Sequence, residues 1–137
     1  MVTRLKIHES AENYLETILV LHNQKGTVRS IDIANELGFS KPSVSVAMKN
    51  LRENGYITVS PEGSISLLPA GQEIADKIYE RHTLITDLLT ALGVDPEVAA
   101  EDACRIEHVI SEKSFAAMQA HLNQAKISDV ESSGAQD

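Results

Sequence analysis

Residues 102–111, DACRIEHVIS, hold the single cysteine of the chain, Cys104, three residues before Glu107 and four before His108. On an α-helix, residues i, i+3 and i+4 share a face, so a helical reading brings a thiol, a carboxylate and an imidazole together. Thiolate and imidazole suit borderline divalent ions such as Fe(II), Co(II) or Zn(II), and the carboxylate admits Mn(II). The same residues also fit an ordinary arrangement, a small core cysteine beside a solvated Glu–His pair. Three ligands from one helix leave a coordination shell incomplete. Candidates to complete it stand upstream: Asn13 and Glu16, spaced i, i+3, and His82 ahead of LITDLL. Each has its own ordinary reading, Glu16 as a solvated carboxylate and His82 as a helix-surface histidine.

The elements that must carry these residues follow from periodicity and punctuation. SAENYLETILVLHNQKG reads as a first helix capped by Ser10, with Tyr14, Leu15, Ile18, Leu21 and His22 at helical spacing and Gly26 as its end. TVRSIDIANELGFS offers Ser30 as an N-cap and Gly38 as the stop of a short second helix. SKPSVSVAMKNLRENG has Ser40 as cap, Pro42 in the first turn, Val44, Ala47, Met48 and Leu51 as the buried stripe, and Gly55 as the stop. Tyr56–Val59 and Ser64–Leu68 alternate around a Pro-Glu-Gly turn and predict a β-hairpin. Three helices and a two-stranded ribbon make a winged helix-turn-helix. A long helix from Pro69 or Ala70 to Gly93, a second from the Asp95-Pro96 cap to about Ser111 and a third over EKSFAAMQAHLNQAK follow, before a polar stretch, ISDVESSGAQD, expected to be disordered. The expected fold is mainly α: a winged helix-turn-helix with a two-stranded β wing over 1–70, an all-α domain over 71–127, and a tail over 128–137.

The net charge of −8 is unevenly placed. Residues 1–70 are neutral, and the acidic excess lies wholly after Gly71. An acidic total therefore does not exclude nucleic acid for the first half. In a helix-turn-helix the second helix places its N-terminal residues at base edges, while cations and helix N-termini take the phosphates. The residues so placed are Arg29, Ser30, Ser40, Lys41, Pro42, Ser43, Ser45, Lys49 and Arg52. The competing reading makes the hydroxyls simple caps and the winged helix a protein-binding module. The outward face from Lys41 to Arg52 is mostly small, polar or cationic, with only Glu53 at its far end acidic, which favours double-stranded DNA. One such unit contacts few base pairs, so specificity calls for a homodimer on a two-half-site operator.

At 137 residues, with 42% apolar composition, the chain suits one core with appended helices. No apolar run is long enough to span a bilayer, the N-terminus lacks the apolar stretch of a signal peptide, and a lone cysteine makes no internal disulfide. The expectation is a cytoplasmic protein with no membrane partner. No H-E-x-x-H pair or open metal site with a separate general base points to an enzyme, so neither catalysis nor a small-molecule substrate is expected.

AENYLETILVL, IANELGFSKPSVSVAMKNL, LLPAGQEIA, ERHTLITDLL and CRIEHVIS stand in the order and spacing of the iron- and manganese-dependent repressors, the diphtheria toxin repressor type with its manganese transport regulator branch. The resemblance covers roughly residues 8–125. It implies a winged-helix domain followed by a helical metal-binding and dimerisation domain, with metal as corepressor and metal-uptake genes as targets. It carries the metal ligands onto Asn13, Glu16, His82, Cys104, Glu107 and His108. The chain departs from the family at Asn13, where aspartate or methionine is usual. Cys104 is what the iron-responsive members show, Glu16 what the manganese branch shows, and Thr86 and Ala100 cannot supply the ancillary site of the iron branch. A short, two-domain member with one mixed primary site is implied, without the SH3-like domain of the longer iron regulators. The expected corepressor is Mn(II) or Fe(II), with Zn(II) or Co(II) as substitutes in vitro. The alternative is a winged-helix regulator that senses an organic ligand or the redox state of Cys104.

Overall fold

In the computed structural model the backbone is described for residues 2–135 and the side chains for residues 9–125. Six helices and one hairpin follow in order: α1 (Val2–Lys25), α2 (Ser30–Leu37), α3 (Lys41–Glu53), β1 (Ile57–Val59), β2 (Ile65–Leu67), α4 (Pro69–Ala91), α5 (Pro96–Ile106) and α6 (Glu112–Ala135). Contacts divide the chain into two compact units, Met1–Tyr79 and Glu80–Asp137.

The first unit is built on one core. Leu15, Ile18 and Leu21 of α1 meet Val28, Ile33 of α2, Val44, Met48 and Leu51 of α3, and Ile57 and Ile65 of the hairpin. The strands pair antiparallel with Ile57 opposite Leu67 and Val59 opposite Ile65. Period-two alternation sends Ile57 and Ile65 inward and leaves Thr58 and Ser66 to solvent. At the tip, Ser60 N–H donates to the Ser64 carbonyl (2.9 Å) and Gly63, at φ 86°, takes the left-handed turn that a side chain would resist. The Ile65 N–H donates to the Val28 carbonyl at 2.7 Å, fixing the wing to the segment ahead of α2.

The compact unit runs on to residue 79 because the first turns of α4 pack into this core. Ala75 is fully buried there and Ile74 lies against it. Gly71 allows the approach: a Cβ at this position would run into the Tyr56 backbone carbonyl.

Three expected caps and ends differ. Ser10 does not cap α1, which begins at Val2: the intervening residues include no proline or glycine to stop a helix. Arg29, not Ser30, is the N-cap of α2; its N–H donates to the Asp32 carboxylate at 2.9 Å, making Ser30 the first helical residue. The backbone of α6 runs through Ala135, across most of the stretch expected to be disordered, since each further helical residue adds a hydrogen bond without a new nucleation cost. Gln136 and Asp137 lie outside the described residues. Ser40 does cap α3, accepting the Ser43 N–H at 3.3 Å, with Pro42 in the first turn, and Asp95 caps α5 by accepting the Glu97 N–H at 3.2 Å.

In the second unit Leu84, Ile85, Ala99, Ala103 and Leu122 are buried. Arg81 is also buried and does structural work. Its Nη1 donates to the carbonyls of Glu107 and Ile110, each at 3.1 Å, and its guanidinium lies 5.3 Å from the Phe115 ring centroid. These carbonyls follow the end of α5, where intrahelical donors run out, and the arginine replaces them.

Candidate metal centre and nucleic-acid interface

Helix α5 ends at Ile106, so Cys104, Glu107 and His108 do not share one regular helical face as expected. Glu107 sits at the C-cap with helical dihedrals (φ −58°, ψ −26°), and His108 lies in the turn beyond. Helix geometry thus persists far enough to align Cys104 with Glu107, while His108 faces Glu107 from another side.

The arrangement centres on Glu107, whose side chain is fully buried. Its Oε2 is 2.9 Å from His82 Nδ1, and its Oε1 is 3.4 Å from His108 Nε2. Cys104 Sγ lies 3.7 Å from the same His82 Nδ1. His82, Cys104 and Glu107 therefore offer one nitrogen, one sulfur and one oxygen, all within 4.8 Å of one another. One position after Arg81 in α4, His82 is brought to residues 25 positions away by the same helix whose arginine holds the Glu107 carbonyl.

The electrostatics fit a cation. The Cys104 sulfur and then the Glu107 carboxylate, both acceptors facing Nδ1, hold the His82 imidazolium up to about 10, against the opposing effect of burial. A proton on His82 thus occupies the point where acceptor atoms converge. Glu107 Oε1, although near His108, accepts no hydrogen bond. A buried carboxylate oxygen left without a donor is costly, and a divalent ion removes that cost. The mixed N, S and O set suits a first-row transition ion better than Mg(II) or Ca(II).

Asn13 and Glu16 lie on α1 in the first unit, where the Asn13 carbonyl accepts the Thr17 hydroxyl at 2.8 Å. Thr86 hydrogen-bonds the His82 carbonyl through its hydroxyl at 2.7 Å, a helix-internal role.

The expected DNA-facing residues gather on the first unit. Arg29, Ser40, Lys41, Pro42, Ser43, Ser45, Lys49 and Arg52 are all exposed and Ser30 is half-buried. Ser30, Ser45, Lys49 and Arg52, with Met48 and the wing residue Val59, line an open depression of about 250 Å³ between α2, α3 and β1. Hydroxyls and two cations around a helix N-terminus are the chemistry that takes a phosphate.

Two residues escaped the sequence reading. Arg81 is adjacent to His82, but a cation beside a candidate ligand histidine gives no sign that it reaches carbonyls 26 and 29 residues on. Val46 stands on the outward side of α3, and its signal was legible as an apolar residue out of phase with the Val44, Met48, Leu51 stripe.

Residues 6–65 match the family described as iron dependent repressor, N-terminal DNA binding domain, and residues 68–129 match iron dependent repressor, metal binding and dimerisation domain. The transcriptional regulator MntR of Salmonella typhimurium is 35% identical over 116 residues, which cover 85% of this chain and 74% of that protein. The HTH-type transcriptional regulator MntR of Listeria monocytogenes is 34% identical over 106 residues, covering 77% and 75%. Among solved structures, a manganese-dependent transcriptional repressor in complex with manganese superposes with a TM-score of 0.75 at 26% identity, over 82% of this chain and 52% of that one. The manganese regulator SloR gives a TM-score of 0.72 at 26% identity, so the chain spans about half the length of these solved relatives. The fold, the two matched domains and the relatives together make this chain a member of the iron-dependent repressor family, close to its manganese regulator branch.

Proposed function

We infer that the chain is a metal-dependent transcriptional repressor that binds operator DNA as a homodimer when Mn(II) or Fe(II) is bound, and that it controls metal-uptake genes. The observation that carries this reading is the convergence of His82, Cys104 and Glu107 in a chain that also carries an exposed, cationic winged helix. His82, Cys104, Glu107 and His108 hold the ion, and the resemblance to the family adds Asn13 and Glu16 of α1 to the set. When bound, the ion supplies positive charge that replaces the proton now held by His82. DNA contact falls to Arg29, Ser30, Ser40, Lys41, Pro42, Ser43, Ser45, Lys49 and Arg52, with cations on phosphates and the α3 N-terminus toward base edges.

The mechanism is a population shift. Ligand residues that close more tightly in the operator-competent state raise its share when metal is present, and DNA must tighten metal binding by the same factor. Dimerisation belongs to the second unit, where Leu92, Val98 and Val109 are open to solvent. Among the described residues no helix is long and apolar enough to cross a membrane, and a cytoplasmic, non-enzymatic regulator is part of the same proposal.

Replacing His82 with alanine tests the reading. Metal-dependent DNA binding should be lost while the dimer persists by analytical ultracentrifugation. Loss of the dimer together with DNA binding would assign His82 to the fold and overturn its role as a ligand. Oxidation of Cys104 that abolishes DNA binding, with no response to Mn(II) or Fe(II) in the reduced protein, would favour a redox sensor instead.

A further inference from the structure

We propose that Val46 is a base-reading residue, whose side chain packs against a thymine 5-methyl group in the major groove of the operator. The proposal rests on the DNA-binding reading of α3 given above. Val44, Met48 and Leu51 face the core. Val46 is two residues on from Val44, about 200° around the helix at 100° per residue, and so lies on the opposite side. It is 60% exposed, more than Ile31, Phe39 or Tyr79, the other large apolar residues exposed on the first unit. Its neighbours on that side are Pro42 and Ser43 one turn before and Lys49 and Asn50 one turn after, all exposed.

Valine has no place in the core of its own unit here, and a β-branched residue is a poorer helix former than the lysine one turn on. What it does provide is a stiff apolar knob. In a helix valine holds essentially one χ1 rotamer, so its methyl groups point in a fixed direction and lose little freedom on contact. The occupant follows from the surroundings. Lys49, about 60° around the helix from Val46, puts a cation on this face and makes it attractive to phosphate rather than to an apolar protein surface. Within the major groove the apolar group at a base edge is the thymine methyl; cytosine shows an amino donor and adenine and guanine show polar edges that valine would leave unpaired. Val46 therefore favours thymine over cytosine at one position of each half-site.

The test uses the full-length protein with Mn(II). Duplexes are selected from a randomised double-stranded pool by the wild type, and the selected duplex is remade with deoxyuridine in place of each thymine in turn. Deoxyuridine removes the methyl and leaves the pairing edge intact. At one thymine per half-site the wild type should bind the deoxyuridine duplex about fourfold more weakly, the worth of one buried methyl group. Val46→Ala should bind the thymine and deoxyuridine duplexes equally there, with an unchanged salt dependence. Since Val46 is on the surface, the variant should fold as the wild type does, which its unfolding curve checks. Selected duplexes with no methyl-sensitive position that Val46→Ala abolishes would overturn this proposal alone. Failure of the wild type to enrich any duplex would overturn the DNA-binding reading and the proposal together.

Discussion

Replacing Glu107 with glutamine keeps the side chain's shape and removes its charge, and the pH dependence of the cost identifies the interaction lost. In the metal-free protein Glu107 is fully buried with Oε2 at 2.9 Å from His82 Nδ1, and the His82 side chain is itself only a quarter exposed. A hydrogen bond to a charged partner contributes about 1.5–3 kcal/mol, so the substitution should cost about 2 kcal/mol near pH 6. His82 is raised from 6.5 to about 10 in the folded protein. Stability from a raised histidine is fully present below the unfolded value and is lost as pH rises through the folded one. The cost of Glu107→Gln should therefore be largest at pH 6, smaller at pH 8, and close to nothing at pH 10. Urea unfolding of both proteins in chelator at the three pH values measures it. Metal affinity should fall by more than about 100-fold, the upper end of the loss seen when only an outer partner of a ligand is removed. A destabilisation equal at pH 6 and pH 10, or an unchanged Mn(II) affinity, would refute the reasoning.

Other consequences follow from the same geometry. Arg81→Met strips one buried and one part-buried carbonyl of their donor, so it should destabilise the metal-free protein by about 2–4 kcal/mol in denaturant and weaken Mn(II) binding through the displaced turn at Glu107. Gly71→Ala forces α4 away from the Tyr56 carbonyl; a loss of about 1–3 kcal/mol by urea unfolding is expected. Lys49→Ala and Arg52→Ala should each lower the slope of log affinity against log salt by about 0.9 in magnitude, read by anisotropy on one duplex, if each meets a phosphate. Metal uptake must displace the His82 proton, so apparent Mn(II) affinity should rise with pH across the neutral range, with proton release measurable by calorimetry in buffers of different ionisation enthalpy.

The winged helix was readable from local chemistry. Ser40, Pro42 and the Val44, Met48, Leu51 stripe each act within a few residues of their own position, and the hairpin announces itself by alternation around Pro-Glu-Gly. The caps misread at Ser10 and Ser30 show the limit of that logic, since a hydroxyl ahead of a periodic run looks alike whether the backbone turns there or continues. The candidate metal ligands were legible as types and spacings, yet the face that unites them was not. His82 meets Cys104 and Glu107 across 22 and 25 residues, and past the end of α5 the Glu107 carbonyl is taken by Arg81, on another helix. A unit boundary at 79 was hidden for a related reason, as a continuous helix gives no punctuation where its first turns change partners.

The most direct test of metal-dependent repression is anaerobic fluorescence anisotropy of the protein on labelled duplex DNA from upstream of its own gene, at one fixed salt concentration, with chelator compared against Mn(II) and Fe(II). The account predicts that at least one of these ions tightens binding by tenfold or more. Binding of equal affinity in chelator and in both metals would contradict it.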